Sequence, residues 1–241
     1  MGRYWKIIRF YWPTLIRWQT LSVTGVMAFN VLLSVLIPML TSAGEAGATI
    51  GTSDIIALAW ALSIGVALGP YGFRFLLCHG VSRRTQFIAG SLTLAVLSAM
   101  WAAIVTLLVS ANLWFARTSV LFQMLYQRHD ILSTLTWECA ALLLFAFLGW
   151  FIYLVHHVTD RKGKLWIAAA PFVLGPILVL INSVTHGAFL ADVSHAVKVA
   201  MGFGSGVPNP YVGALSILLV SLLLAGAAVY PILRTVELKE S

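Results

Sequence analysis

The chain has 241 residues, of which 60% are hydrophobic and 10% are charged, whereas soluble domains carry about 25% charged residues. This composition excludes an ordinary water-soluble domain, and the length suits about six membrane spans of roughly 17 to 25 residues with no separate soluble domain. The net charge of +7 does not indicate nucleic-acid binding, because Lys and Arg collect in short segments beside apolar runs, where membrane proteins use them to set orientation.

An interfacial helix is predicted over residues 1–19. Tyr4, Ile8 and Tyr11 recur at helical spacing, and the cations lie mostly on other faces of such a helix. Aromatic side chains sit well at headgroup level and cations favour anionic lipid, whereas a cleavable signal would have a short basic region followed by a brief apolar core. The alternative is a basic tail that only adheres to membranes.

Six apolar runs predict an all-α integral membrane protein with a single transmembrane domain over residues 1–241. A good N-terminal cap, Asp54 with its neighbours, precedes the second run. Pro171 and Pro176 predict a kink in the fifth. The predicted spans are residues 21–40, 55–71, 87–109, 139–155, 165–181 and 212–233.

The distribution of cations predicts the orientation of these spans. If the N-terminus is cytoplasmic, twelve of the 15 Lys and Arg residues fall on inner segments, and only Arg117, Arg128 and Lys198 fall outside. Cytoplasmic segments of membrane proteins carry this excess of Lys and Arg. Both termini are therefore expected in the cytoplasm, in a multi-pass protein of the cell membrane.

Two outer segments are longer than a hairpin requires. Residues 111–137 contain a polar stretch from Tyr126 to Asp130. Residues 188–201 predict a short helix, followed by a glycine-rich break directly before the sixth span. Together they predict an outer cap or re-entrant piece, which membranes tolerate where protein or water covers the backbone.

The most informative segment runs from Tyr71 to Phe87, between the second and third spans. Phe73, Leu76 and Leu77 have the spacing of one face of a short helix, and Gly80 is placed to end that helix. Ser82 then predicts the cap of the next helix.

Two cations follow that cap directly. Arg83 and Arg84 lie in the predicted first turn, where the helix dipole disfavours positive charge. Their placement has two interpretations, which are contact with lipid phosphates and contact with acidic groups on a cytoplasmic partner. The residues by themselves are compatible both with membrane anchoring alone and with anchoring combined with docking on a partner.

This segment resembles the permease subunits of type-2 ABC transporters. Its position between spans two and three, the N-terminal interfacial helix, the short C-terminal tail and the helical segment before the sixth span agree with that family. The residues that carry the likeness are Phe73, Arg74, Leu76, Leu77, Gly80, Val81, Ser82, Arg83, Arg84 and Phe87.

The resemblance implies an exporter in which two permeases, identical or related, sit on cytoplasmic ABC ATPase subunits. Residues 73–84 would be the coupling helix that docks on the ATPase, and the cargo would be a lipophilic or amphipathic drug, peptide or lipid. The chain itself would have no catalytic residue and no cofactor; ATP and Mg would bind the partner, since the sequence contains no G-x-x-x-x-G-K-[ST] motif.

Two other classes compete with this interpretation. A non-transporting membrane module, such as a sensor, immunity or assembly protein, would use the same basic loops only as anchors. An intramembrane hydrolase would need a nucleophile such as Ser205, which lies between two glycines, but His186 and His195 fall in a predicted outer loop rather than on a facing span.

Isolated polar residues predict little chemistry. His156 and His157 are adjacent, so their side chains diverge by about 100° on a helix and cannot easily share a metal ion. His156 and Asp160 together would supply only two ligands, so no metal site is predicted. Glu138 is interpreted as an interfacial residue at the start of the fourth span rather than as a buried site. Asn30 is expected to form hydrogen bonds between helices.

Overall fold

A computed structural model describes residues 25, 57–68, 81–110, 121–127, 130–160, 176, 183–185, 188–204 and 207–235. The predicted interfacial helix over 1–19 lies outside these residues. So do the predicted spans 21–40 and 165–181, except for Gly25 and Pro176.

Every regular element within the described residues is a helix. The last two helices and the π-helical turn between them are continuous. The elements are α1 (Ala57–Leu68), α2 (Arg83–Ser110), α3 (Leu121–Tyr126), α4 (Ile131–Val158), α5 (Ala188–Ala200), α6 (Pro210–Leu223), the π segment (Leu224–Val229) and α7 (Tyr230–Thr235).

Three of these helical stretches are long and apolar enough to cross a membrane. They are Arg83–Leu107, Ile131–Val158 and Pro210–Arg234. The last two contain the predicted fourth and sixth spans, the first covers the predicted third except for its last two residues, and α1 falls within the predicted second. The described part of the chain is therefore all-helical, as predicted, with three candidate membrane-spanning helices.

The start of α2 agrees with the sequence pattern. The backbone N–H of Thr85 donates to Ser82 Oγ at 3.3 Å, and that of Gln86 donates to the Ser82 carbonyl at 3.0 Å. Ser82 thus caps the helix as predicted, since a serine oxygen satisfies amides that have no partner within the first turn. Arg83 and Arg84 occupy the first turn.

The start of α4 differs from the sequence prediction, because the helix begins eight residues before Cys139. Asp130 caps it by accepting the Ser133 N–H at 3.2 Å, and the Thr134 hydroxyl donates to the Asp130 carbonyl at 2.8 Å. An aspartate at the N-cap satisfies amides of the first turn that have no partner within the helix, which favours a helix start at this point. Glu138 is consequently inside the helix and only 2% exposed, so its placement at an interfacial helix start was wrong.

α4 is the central helix and packs against α1, α2 and α6. Small residues recur on α1 at Ala57, Ala61 and Gly65. A Cβ added at Gly65 or at Gly149 of α4 would collide with a backbone carbonyl of the other helix. Such close backbone approach is typical of helix pairs in membranes, where small residues supply the packing.

Two apolar clusters define two ends of the bundle. The larger cluster reaches the basic end, which comprises Ser82–Phe87, Trp150–Val158 and Tyr230–Arg234. The smaller one forms the aromatic end around Phe122, Tyr126, Trp137 and Phe203. α6 is less covered, and several of its large apolar side chains are exposed, among them Tyr211, Leu215, Leu219, Leu222 and Leu223.

Candidate functional site

The basic end joins the first residue of α2 to the last turn of α7. The Arg83 guanidinium donates from Nη1 to the backbone carbonyl of Arg234. Carbonyls in the last turn of a helix have no partner within the helix and carry partial negative charge, which makes them good acceptors for a cation. The contact explains how a cation is tolerated at the start of α2.

Phe87 extends this junction into the bundle. Its ring lies 6.0 Å from that of Trp150 and 5.1 Å from that of Tyr230, within the distances at which aromatic pairs attract. Val81 packs at the edge of the same cluster. α2, α4 and α7 are therefore held together within the basic end.

The structure describes part of the predicted coupling segment. Val81 is half-buried, Ser82 is a helix cap, Arg83 reaches α7 and Arg84 is exposed. The remaining residues of that prediction, Phe73, Arg74, Leu76, Leu77 and Gly80, lie outside the described residues.

The π segment separates α6 from α7. The Tyr230 N–H donates to the Ala225 carbonyl, five residues earlier, instead of four. The extra residue rotates the helix beyond it, and Val229 and Leu233 are fully buried in the main cluster. Insertions of this kind are frequent at functional positions in helices.

At the aromatic end, Tyr126 of α3 fastens the segment that follows α5. Its hydroxyl donates to the Met201 carbonyl at 2.7 Å, and its ring stacks on Phe203 at 5.1 Å with an interplanar angle of 12°. Burial raises the pKa of the Tyr126 hydroxyl. The hydroxyl therefore keeps its proton and remains a donor at neutral pH.

A glycine turn ends α5 and leads into α6. Gly202 has φ +83°, the Phe203 N–H donates to the Lys198 carbonyl at 2.8 Å, and the Gly202 N–H donates to the Val199 carbonyl at 3.0 Å. This pair of bonds around a left-handed glycine is a Schellman motif. The Asn209 N–H then donates to the Gly202 carbonyl at 3.0 Å, which closes the turn. The helix predicted over 188–201 is observed as Ala188–Ala200, and a turn at Gly202 follows it, while residues 205–206 of the predicted glycine-rich break lie outside the described residues.

An apolar groove of about 510 Å³ lies between α2, α4 and α6. Besides Tyr211, the wall of the groove contains the polar residue Thr136. The Thr136 hydroxyl is shared between the carbonyls of Leu132 and Ser133, each at 3.0 Å. The groove is thus lined almost wholly by hydrocarbon. Its lining is Ala99, Ala103, Leu135, Thr136, Cys139, Ala140, Tyr211, Ala214, Leu215 and Leu218.

One end of this groove carries a charge. Tyr211, whose ring lines the wall, donates from its hydroxyl to Asp130 Oδ2 at 3.1 Å. Asp130 is exposed, and the Ser133 backbone N–H lowers the pKa of its carboxyl. The carboxylate is therefore charged at neutral pH.

Other candidate chemistry is not assembled within the described ranges. They contain no group of three His, Cys, Asp or Glu residues that could hold a metal ion. His157 stacks on Tyr153 at 5.8 Å, and His195 is exposed on α5. Ser205 and His186 lie outside the described residues.

Sequence patterns did not identify the groove or the bonds at the aromatic end. In the sequence, Tyr126 and Asp130 stand out only as parts of a polar stretch. Asp130 directly before an apolar helix, with Ser133 three residues later, is a recognisable N-cap pattern and could have been found. The contact between Asp130 and Tyr211 joins residues 81 apart, and no local pattern reports it.

Helices of this length and hydropathy define a class: a helical, membrane-embedded protein with at least three candidate spans. No protein family, curated protein or solved structure matches the chain.

Proposed function

We propose that the chain is a permease subunit of an ATP-driven exporter of the ABC class. It would pair with a second permease, dock on a separate cytoplasmic ATPase that binds ATP and Mg, and conduct a lipophilic or amphipathic cargo without catalysing a covalent reaction. The sequence likeness of Phe73–Phe87 to type-2 permeases motivates the proposal. The observation that carries it is the bond from Arg83 to the Arg234 carbonyl.

This bond gives the segment a mechanical connection to two spans. Val81 and Ser82, the last residues before α2, lead directly into it, since Ser82 caps the helix that Arg83 begins. Arg83 and Phe87 then hold α7, the end of another candidate span. A force applied to the segment would act on α2 and α7 together, which a coupling device requires and a mere lipid anchor does not.

Two neighbouring cations have different surroundings, which supports a different role for each. Arg84 is exposed and is available to acidic groups of a partner. Arg83 is turned to Arg234 within the chain. We therefore expect Arg84 to contribute to binding the ATPase, and Arg83 to contribute to transmitting its motion.

The test is copurification of the tagged protein from its native membrane in mild detergent, with mass spectrometry of the proteins retained. The wild type should retain a P-loop ATPase, and Arg84→Glu should lose it. Arg83→Gln should retain the ATPase but lose the stimulation of ATP hydrolysis by cargo, because the junction with α7 is broken.

Lys198→Glu is the matched control, since Lys198 is an exposed cation on the helix α5, away from the basic end. It makes the same change in charge and should leave both readouts unchanged. If no ATPase is retained by the wild type in several detergents, or if Arg84→Glu retains it fully, the permease proposal fails. The non-transporting module, anchored by its basic loops, then becomes the better interpretation.

A further inference from the structure

We propose that the groove between α2, α4 and α6 binds the hydrocarbon chain of an amphiphilic cation, whose headgroup lies at the Asp130 carboxylate. Such binding needs no ATPase partner and stands apart from the permease proposal. The groove provides the apolar part of the site, and the contact between Asp130 and Tyr211 provides the charged part.

The dimensions and lining of the groove suit a hydrocarbon chain. Its volume of about 510 Å³ lies within the range of ligand sites, roughly 300 to 1,000 Å³. From Tyr211 to Leu218 it follows α6 for two turns, about 10 Å. The Thr136 hydroxyl already donates to backbone carbonyls. The polar groups of a polar ligand would therefore lack hydrogen-bond partners in the groove, which disfavours such a ligand.

The charge at the end of the groove selects the headgroup. Asp130 Oδ2 accepts hydrogen bonds from the Ser133 N–H and the Tyr211 hydroxyl, and an ionised carboxylate offers about four acceptor positions. Tyr211 holds this carboxylate at the end of the wall that its own ring forms. A cationic head is attracted there and an anionic one is repelled.

Cys139 supplies a reporter inside the groove, because it lines the wall and is a free thiol. The full chain with Cys78→Ser, in phosphatidylcholine nanodiscs, would be alkylated with a membrane-permeant maleimide. The alkylation rate would be compared with hexadecyltrimethylammonium, hexadecanol or hexadecanoate present at equal mole fraction. We expect the cation to slow alkylation by at least about threefold relative to the anion, with the alcohol between them.

Two variants separate the charged part from the apolar part. Asp130→Asn should remove the difference between cation and anion while preserving the start of α4, since asparagine is an equally good N-cap. Ala99→Trp should fill the groove and make the rate insensitive to all three amphiphiles. Leu92→Trp is its matched control, because Leu92 is exposed on the same helix and does not line the groove, so the discrimination should persist.

A second thiol position controls for effects of the bilayer itself. Val220→Cys, with both native cysteines changed to Ser, places a thiol on the exposed surface of α6 away from the groove. Equal protection of this thiol by the cation would overturn the proposal. The proposal would also be overturned if the anion protected Cys139 more than the cation, or if Asp130→Asn still distinguished the cation from the anion. A Cys139 that is never alkylated, because another segment of the chain fills the groove, would overturn it as well.

Discussion

The two ends of the bundle are held by different kinds of contact. At the basic end, side chains join the ends of candidate spans to one another, through Arg83 with Arg234 and through Phe87 with Trp150 and Tyr230. At the aromatic end, aromatic side chains also pack together, but a turn held by several backbone hydrogen bonds is added to them. A left-handed glycine closes the turn after α5, and the Tyr126 hydroxyl bonds a main-chain carbonyl.

This difference indicates different mechanical roles. Side-chain contacts between helix ends allow small sliding and rotation, because rotamers adjust. A turn fixed by positive φ and several backbone hydrogen bonds has few alternative conformations. The aromatic end is therefore expected to be the rigid one, and the basic end the deformable one.

The largest expected effect is at the rigid end, from Gly202→Val. A β-branched residue is strained at φ +83°, and its Cβ would collide with the Asn209 carbonyl. We expect a loss of about 3 kcal/mol in the free energy of unfolding, measured by denaturation in mixed micelles. Gly226→Val, where a Cβ meets nothing within 4 Å, should cost less than about 1 kcal/mol. Equal losses would contradict the rigid turn.

At the basic end, Phe87→Ala should cost about 2 kcal/mol, below the cost for a fully buried phenylalanine because Phe87 is half-buried. The loss reflects the contacts with Trp150 and Tyr230. Phe87→Leu keeps most of the volume and should cost about 1 kcal/mol. Measured in the same micelles, a Phe87→Ala loss as large as that of Gly202→Val would remove the distinction between the two ends.

Tyr126→Phe sharpens the comparison by removing one hydrogen bond and keeping the ring. The Met201 carbonyl loses its side-chain donor, so we expect a loss of about 1 kcal/mol in the free energy of unfolding. Tyr126→Leu also removes the stacking on Phe203 and should cost about 2 kcal/mol. A Tyr126→Phe variant as stable as the wild type would show that the ring alone fastens this end.

The smallest effect is a dependence on alkaline pH. Because burial raises the pKa of Tyr126 above its unfolded value near 10, folding favours the protonated hydroxyl. Its contribution is fully present below that unfolded pKa and is lost as pH rises through the higher folded pKa. Unfolding measured from about pH 8 to 12 should show a steeper alkaline loss in the wild type than in Tyr126→Phe. Parallel curves would contradict this.

Much of the local structure could be predicted from the sequence. The apolar runs 87–109 and 212–233 lie within observed helices because a continuous apolar run satisfies its backbone internally as a helix. Ser82 and the glycine-rich break after α5 are short-range signals, which depend on residues a few positions apart. The start of α4 was missed because Ser133, Thr134 and Thr136 interrupt the apolar pattern of its first two turns, and the capping by Asp130 that favours a helix there was not recognised.

Within the described residues, the sequence by itself thus determined the long apolar helices and how several of them begin or end. Tertiary structure alone decided which faces meet. Contacts between Tyr126 and Met201, Asp130 and Tyr211, and Arg83 and Arg234 join residues 75, 81 and 151 positions apart. In helices that are apolar on every side, hydropathy does not distinguish a face that contacts lipid from one that contacts protein. Only the fit of small residues and the pairing of distant polar groups separates them.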